Sequence, residues 1–491
     1  MGYNALIYAL GNFLCYLASF LLVPLYTRVL PPSEFGGLEL LNRLGEILNL
    51  CLLFPGLRLA TLTFYNQGAS AQERREVFTA TFFLLLFTNL FGLVVIAVSV
   101  HLCRSEWLTV DPFLMTLAGF AAILDGTVFV LLAVLQARDE AVYFVSVTVC
   151  QLVARLVLAY VLIVLLGLGL PGIFYSAIVT SVAVALFLVL REHAHFAALP
   201  SVACVGSMLR FCLPFLPGGL CFFVINNGDR FFLYYYADAS SVGTYALGYK
   251  MAAAVSTLGV SPFLLAWGAR IYAVAKQGDA AECFGRKISQ ILACYCVLGL
   301  GVSLFQDELI LAVAGPGYAA AAPIIPVVLL AYWFLNASSL MDAAFYVRRC
   351  TRYKAWINLS TTVATVLFYA LLIPSLGPVG AAYATLAGFL IQALLTRVIS
   401  QRIMFIGHHN FTYALTLGMV VAAWGFSRIV PDGLWLAPVK VILWLACVAV
   451  FVAAGLLPLA GHAGLREIQD RLTRLGRRIA SYGPGRPVTR P

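Results

Sequence analysis

The eight residues LGLPGIFY at positions 168–175 recur as LGPVGAAY at positions 376–383, about 208 residues later. A second pair of matching segments, SEFGGL at 33–38 and SSVGTY at 240–245, is separated by almost the same distance. Each match is short, but two independent matches share one offset. The two pairs therefore indicate that the chain contains two copies of one structural unit.

Long apolar segments surround these motifs and continue along the whole chain. Of the 491 residues, 62% are hydrophobic and 11% are charged, whereas a soluble domain carries roughly a quarter charged residues. A helix needs about 20 apolar residues to cross the hydrocarbon core, and about fourteen such spans are predicted. They lie at 3–28, 37–65, 78–100, 112–136, 142–166, 171–190, 208–236, 243–267, 286–306, 323–347, 354–374, 379–400, 411–428 and 438–461. The short loops between them leave no room for an extramembrane catalytic domain.

The repeated motifs occupy equivalent turns of this pattern. One SEFGGL-type motif follows the first span and the other follows the seventh, so an even number of spans separates them and both copies have the same orientation in the membrane. The predicted fold is an all-α integral membrane protein with two parallel six-helix lobes, at 1–200 and 201–405. Two additional transmembrane helices at 406–461 and a basic cytoplasmic tail at 462–491 complete the predicted organisation.

The net charge of +10 would suit a nucleic-acid-binding protein, but the charges follow the membrane instead. Of the 31 Lys and Arg residues, 22 fall in the tail or in loops on one side of the predicted spans. The opposite side holds Arg28, Arg104, Arg428 and Lys440. Basic loops stay in the cytoplasm. This asymmetry therefore predicts that both termini are cytoplasmic, and it argues against nucleic acid as a partner.

A stripe of polar residues runs along the second predicted span. Its members recur at helical spacing, so they share one face of an otherwise apolar helix: Glu39, Asn42, Arg43, Glu46 and Asn49. Charged side chains inside the membrane cost about 2.5–3.5 kcal/mol each on insertion scales and normally face a cavity or a partner. The stripe predicts a wet cavity. The alternative interpretation is an internally neutralised ladder of neighbouring charges.

The repeat offset carries Arg43 of the first lobe onto Lys250 of the second. Each lobe thus places one cation about 10 Å into its second helix, at 1.5 Å per residue. Two cations facing one cavity would clamp an anion such as a phosphate or diphosphate. In the alternative interpretation a nearby carboxylate holds each cation, Glu39 or Glu46 for Arg43 and Asp229 for Lys250.

Other polar residues extend the predicted cavity. Asp229 and Arg230 lie in the seventh span, where adjacent side chains point about 100° apart, so we expect them to serve different neighbours. Asp342 in the tenth span and Arg58 at the end of the second complete the predicted substrate-binding set.

Asp125 in the fourth span and Arg155 in the fifth fall near the middle of adjacent helices. An ion pair that fixes this hairpin is the favoured interpretation. The alternative is that Asp125 exchanges a proton or cation during transport, a role also open to Glu46 or Asp342. Coupling to H⁺ or Na⁺ therefore stays open.

No enzyme, metal or cofactor site is predicted. The histidine pairs 193/195 and 408/409 lie in predicted loops without matched Cys or carboxylate spacing. There is no glycine-rich phosphate-binding loop of the kind that ATP hydrolysis requires.

Four segments resemble one known family in the right order. They are LVPLYTRVLP at 22–31 with EFG at 34–36, residues 213–230 continuing to VGTY at 242–245, GPGY at 315–318 with Ala321, and GPVGAA at 377–382. They are similar to bacterial polysaccharide-export flippases of the multidrug/oligosaccharidyl-lipid/polysaccharide exporter superfamily. The resemblance covers residues 1–405.

This resemblance implies a V-shaped pair of lobes and alternating access. The implied cargo is a polyprenyl-pyrophosphate-linked oligosaccharide, flipped across the bacterial inner membrane for cell-surface polysaccharide biosynthesis. Membrane lipids are implied partners, and a polysaccharide polymerase and glycosyltransferases are candidates.

Several alternative functions stay open on the sequence. Within the superfamily, they are a cation-coupled multidrug exporter and a peptidoglycan-precursor lipid flippase. The mixture of cations and carboxylates in the predicted cavity disfavours cationic drugs as cargo. Outside the superfamily, the alternatives are a membrane polymerase or ligase for lipid-linked glycans, which usually needs a large external loop, and a non-transporting subunit of a polysaccharide synthase complex.

Overall fold

The computed structural model describes residues 11, 20–102, 111–192, 200–268, 270–277, 279–407, 414, 416–419, 421–422, 425 and 437–453, and these residues form helices and connecting turns without a strand. Outside the described residues lie most of the first and thirteenth predicted spans, the end of the fourteenth, both histidine pairs and the tail at 462–491. The chain divides into two compact units, Met1–Leu434 and Trp435–Pro491.

The first predicted lobe contains seven helices in the described part of the chain. They are α1 (Phe20–Val29), α2 (Pro32–Cys51), α3 (Phe54–Gln67), α4 (Ala71–Leu102), α5 (Pro112–Ala137), α6 (Ala141–Tyr160, continued by a π turn at Val161–Leu165) and α7 (Gly169–Glu192). Local sequence explains several of their starts. Pro32 supplies the fixed φ that suits the first turn of α2, and the Asp111 carboxylate caps α5 by accepting from the Phe113 backbone N–H.

The second predicted lobe follows the same order. Its helices are α8 (Val202–Cys212), α9 (Phe215–Tyr236), α10 (Ala239–Ala254, continued by a π turn at Val255–Val260), α11 (Ser261–Gly268), α12 (Ile271–Val274), α13 (Ala280–Leu304), α14 (Gln306–Ala314), α15 (Ile324–Met341), α16 (Ala343–Val347) and α17 (Thr351–Ile403). The Asp238 carboxylate caps α10 through the Ser241 backbone N–H. In the second compact unit, α18 spans Ala437–Ala453.

The prediction of an all-α membrane fold is confirmed. By length and composition, eight of the described helices can cross a membrane, and a ninth can if a bent pair counts as one span. The long helix α17 contains two predicted spans: Gly377, with φ 56° and ψ −133°, breaks its helical geometry between them. This break falls within the repeated motif at 376–383, so the motif is a tight turn between spans, as predicted.

The second predicted span is not one continuous helix, which corrects the prediction for 37–65. It consists of α2 and α3, bent by 45°. Leu53 adopts a left-handed conformation at the break, with φ 61°, and Pro55 occupies the first turn of α3. Because proline cannot donate a backbone hydrogen bond to the preceding turn, the helix restarts there. Residues of α3, after the bend, therefore do not continue the helical face of α2 that carries the polar stripe.

Equivalent helices form the centre of each lobe. In the first lobe, α5 packs against α2, α3, α4 and α7; in the second, α15 packs against α10, α13 and α17. These are the fourth span of each repeat, and they are among the most buried of the candidate spans. In contrast, α4, α6 and α7 expose many large apolar side chains, as expected for helices that face lipid.

Candidate functional site

The two lobes meet where α2 crosses α10, the second span of each repeat. Gly36 on α2 lies against the backbone carbonyl of Ala239, and Gly243 on α10 lies against that of Pro32. A Cβ at either glycine would overlap the facing oxygen. Gly36 and Gly243 are equivalent by the repeat offset, and so are Pro32 and Ala239. The crossing is therefore reciprocal, and it is close because both positions lack a side chain.

A cluster of charged side chains lies one to two turns along α2 and α10 from this crossing. At its centre, the Glu39 carboxylate has a side-chain exposure of 1%. Lys250 Nζ donates to Glu39 Oε1 from the opposite lobe, and Arg43 Nη2 lies 3.5 Å from Glu39 Oε2. The two cations that the repeat offset relates are thus joined through one buried carboxylate.

Two further residues close this network, which we call the Glu39 cluster (Glu39, Arg43, Glu46, Asn227 and Lys250). Arg43 Nη1 donates to Glu46 Oε1 at 2.5 Å and to Asn227 Oδ1 at 3.1 Å. The Asn227 amide in turn donates to Glu46 Oε2 at 3.2 Å. Because Asn227 lies on α9, the cluster connects α2 of the first lobe with α9 and α10 of the second.

The charges of the Glu39 cluster balance, with two cations and two carboxylates. This agrees with the alternative interpretation of the stripe, in which neighbouring carboxylates hold the cations. One detail of that interpretation is wrong: the carboxylate that holds Lys250 is Glu39, not Asp229. Whether the two cations also bind an anionic cargo stays a prediction.

The expectation that Asp229 and Arg230 serve different neighbours is also wrong. Arg230 Nη1 lies 2.6 Å from Asp229 Oδ1, and both side chains are almost fully buried. The long arginine side chain curls back over the preceding residue, and its guanidinium lies 4.3 Å from the centre of the Tyr249 ring. The Tyr245 hydroxyl donates to Asp229 Oδ2 at 2.5 Å.

Tyr245 and Tyr249 were not predicted as site residues. Their four-residue spacing on α10 places them on one helical face next to Lys250, and that spacing is the signal that could have found them. Tyr249 also accepts a hydrogen bond from the Tyr332 hydroxyl at 3.2 Å. Together these rings provide an aromatic wall beside the Glu39 cluster.

The structure places the remaining predicted cavity residues elsewhere. Asn42 is exposed on α2 beside Arg43. Arg58 lies beyond the bend, where it donates to Gln136 at 2.7 Å and lies over the Phe129 ring at 4.1 Å. Asp342 ends α15 and pairs with Lys354 at 2.8 Å. Neither Arg58 nor Asp342 joins the Glu39 cluster.

The predicted ion pair between Asp125 and Arg155 is present. Arg155 Nη2 and Nη1 lie 2.5 and 3.1 Å from the two Asp125 oxygens, in a bidentate arrangement. The Ser181 hydroxyl on α7 donates to Asp125 Oδ1 at 2.5 Å. These contacts tie α5, α6 and α7 together inside the first lobe.

Replacing Asp125 with asparagine is expected to destabilise the protein. The change leaves the Arg155 guanidinium without its carboxylate, at a cost of about 1–3 kcal/mol in the free energy of unfolding. Adding Arg155→Gln should recover part of this loss. Thermal unfolding of the detergent-purified variants measures both effects. If Asp125→Asn leaves the melting temperature unchanged but abolishes export, Asp125 acts in transport rather than in structure.

Comparisons with known proteins were made for sequence and for fold. A family model described as "Polysaccharide biosynthesis protein" matches residues 1–267. A search of curated proteins found no match. In fold, the chain is similar to the lipid II flippase MurJ in an inward closed conformation, with a TM-score of 0.73 and 9% identity over 91% of this chain and 98% of that one.

Multidrug transporters share the fold as well. An inward-facing MATE family transporter of the MOP superfamily matches with a TM-score of 0.64 and 15% identity, over 81% of this chain and 94% of that one. An outward-facing MATE structure matches with a TM-score of 0.52 and 13% identity, over 81% and 95%. At these identities the similarity establishes the fold alone, and all three relatives are transporters.

Proposed function

We propose that this chain, which belongs to the polysaccharide biosynthesis protein family, flips a polyprenyl-pyrophosphate-linked oligosaccharide across a bacterial inner membrane. The fold is that of a multi-pass membrane transporter, similar to those of MurJ and the MATE transporters. The observation that carries the proposal is the convergence of Arg43 and Lys250, one from each lobe, on the buried Glu39.

In this proposal the cargo competes with Glu39 and Glu46 for binding to Arg43 and Lys250. A diphosphate offers more negative charge and more acceptor oxygens than one carboxylate, so both cations gain contacts by exchanging Glu39 for the cargo. The exchange breaks the ionic link between α2 and α10. Because cargo binding then favours a different arrangement of the lobes, it supplies the differential affinity that a conformational change requires.

The glycine crossing would form the seal at one end of the pathway. Arg43 and Lys250 each lie seven residues beyond their crossing glycine, about 10 Å along the helix. Opening this end of the molecule requires α2 and α10 to separate at Gly36 and Gly243. Rocking of one lobe against the other would achieve this separation, as in other two-lobe transporters.

The charges of the predicted cavity support an anionic rather than a cationic cargo. Each carboxylate proposed for cation binding has a basic partner: Asp125 has Arg155, Asp342 has Lys354, and Glu46 has Arg43. A transporter of cationic drugs would need a carboxylate available to the drug. Among the three, the Glu46 side chain is 45% exposed and is the best placed to exchange a proton or Na⁺. Export that survives collapse of both the proton and the sodium gradient would exclude such coupling.

Mass spectrometry of polyprenyl-linked glycans in cells that lack the protein tests the function. We expect one intact oligosaccharide repeat to accumulate on its carrier lipid, and its mass would identify the cargo. Accumulation of the peptidoglycan precursor instead would identify the alternative flippase. If no lipid-linked glycan accumulates and the cells become sensitive to cationic dyes, the protein is a drug exporter.

The proposed orientation places both termini in the cytoplasm, where glycosyltransferase partners would assemble the cargo; a polysaccharide polymerase would use the cargo on the opposite side, after it has been flipped. A protease-cleavable tag after Pro491 should resist external protease in intact spheroplasts and be cleaved after lysis. The basic loops predict this result. A tag that is cleaved before lysis would reverse the topology and the direction of transport.

A further inference from the structure

Three arginines from two helix ends line one cavity in the first lobe. Arg74 and Arg75 lie in the first turn of α4, and Arg138 caps the C-terminus of α5. With Tyr65 and Glu192 they surround a cavity of about 340 Å³. The excess of basic residues on this side of the membrane accounts for arginines in these loops, but it does not require three of them to share one cavity.

Positive charge exceeds negative charge in this arginine cavity. Among the described lining residues Glu192 is the one carboxylate, and Arg138 Nη1 donates to its Oε1 at 3.0 Å and to its Oε2 at 2.8 Å. The nearby Glu73 accepts from the Ala69 backbone N–H at 2.8 Å and is not part of the lining. Outside the lining, Glu140 lies 3.9 Å from Arg138 and pairs with Arg191 at 2.5 Å. Among the lining residues that the structure describes, the charges of Arg74 and Arg75 are therefore not balanced.

The protein itself orients the arginine groups. Arg138 Nε donates to the Tyr65 hydroxyl at 3.2 Å, and Arg74 Nε donates to the Gly68 carbonyl at 3.1 Å. The Arg74 guanidinium also lies 5.8 Å from the centre of the Tyr65 ring. Arg75 is exposed at the rim. Two guanidinium groups that hydrogen bonds hold in place, and a third at the rim, thus line the same space. Guanidinium groups donate bidentate hydrogen bonds to phosphate oxygens.

We propose that the arginine cavity binds a phosphate-bearing anion. Basic pockets between transmembrane helices at the cytoplasmic surface bind anionic headgroups, and a soluble phosphate compound offers the same oxygens. None of the lining residues belongs to the Glu39 cluster. This proposal is therefore independent of the proposed transport function, and its test does not require transport.

Binding of inorganic diphosphate is the first test. The purified full-length protein is placed in nanodiscs of phosphatidylcholine and titrated by calorimetry. Arg75→Gln should weaken binding about tenfold, because it removes a positive charge and the charge-assisted hydrogen bonds that this side chain can donate to the anion. Arg75→Lys keeps the charge and should lose less. Arg352→Gln is the matched control: Arg352 is also exposed and also lies near the N-terminus of its helix, α17, but outside this cavity.

A second experiment shows whether the bound anion is a lipid headgroup or a soluble ligand. Nanodiscs containing phosphatidylglycerol are analysed by native mass spectrometry for lipid that stays bound to the released protein. A lipid adduct that Arg75→Gln removes and Arg352→Gln retains would identify a headgroup site. Diphosphate binding without such an adduct would identify a soluble ligand. If the Arg75→Gln and Arg352→Gln proteins behave alike in both experiments, the proposal is wrong.

Discussion

Gly36→Ala is expected to reduce export of the lipid-linked oligosaccharide by about tenfold or more, although the protein should still reach the membrane. The added methyl group overlaps the Ala239 carbonyl oxygen, which belongs to the backbone and cannot rotate away as a side chain could. The helices α2 and α10 must then separate, and overpacking of this kind costs about 1–3 kcal/mol. In the proposed mechanism only one arrangement of the lobes contains the crossing, so that cost shifts the population away from it.

The adjacent glycine provides a matched control. A Cβ at Gly37 meets no atom within 4 Å, so Gly37→Ala changes the same helix by the same methyl group without a clash. Gly243→Ala should reproduce the Gly36→Ala defect, since it clashes with the Pro32 carbonyl. Accumulated glycolipid, normalised to the amount of protein in the membrane, is the readout. Equal export by the Gly36→Ala and Gly37→Ala proteins would show that the crossing is not a seal.

The double variant Arg43→Gln with Lys250→Gln is expected to abolish export. It removes both proposed ligands of the diphosphate. The structure adds a complication, because Glu39 then stays buried without a cation. Removing the partners of a buried charge costs about 3–5 kcal/mol, so loss of export in this variant alone could reflect misfolding.

A triple variant that also carries Glu39→Gln separates the two causes. It removes the buried charge together with its partners and should restore the thermal stability that the double variant loses. If the cations bind the cargo, the triple variant folds but does not export. If the cations only hold the lobes together, the triple variant exports. The second result would contradict the anion clamp while leaving the fold and the family unaffected.

Much of the fold could be predicted because it depends on patterns that survive in the sequence. Long apolar segments located the spans, and the matched motifs aligned the two lobes closely enough to relate Arg43 to Lys250. The same alignment relates Gly36 to Gly243, and the structure brings this pair into contact. Offset and periodicity carry such information because equivalent residues of a repeat occupy equivalent positions.

The connections between these positions could not be predicted in the same way. Sequence spacing describes neighbours on one helix, and it correctly linked Arg43 with Glu39 and Glu46. It contains no information about which helix lies opposite, so the bond from Lys250 to Glu39 was missed. It also describes Cα directions rather than side-chain reach, which is why the Asp229–Arg230 pair was excluded although a long arginine can fold back onto its neighbour.

The reciprocal crossing has a consequence for which changes each half of the chain can accept. Each half presents a glycine and a carbonyl, and each glycine receives the carbonyl of the other half, which is the self-complementary contact of a symmetric homodimer. Away from the crossing the two halves differ at equivalent positions, as Arg43 and Lys250 do. At the crossing itself, any change in one half has to fit the backbone of the other.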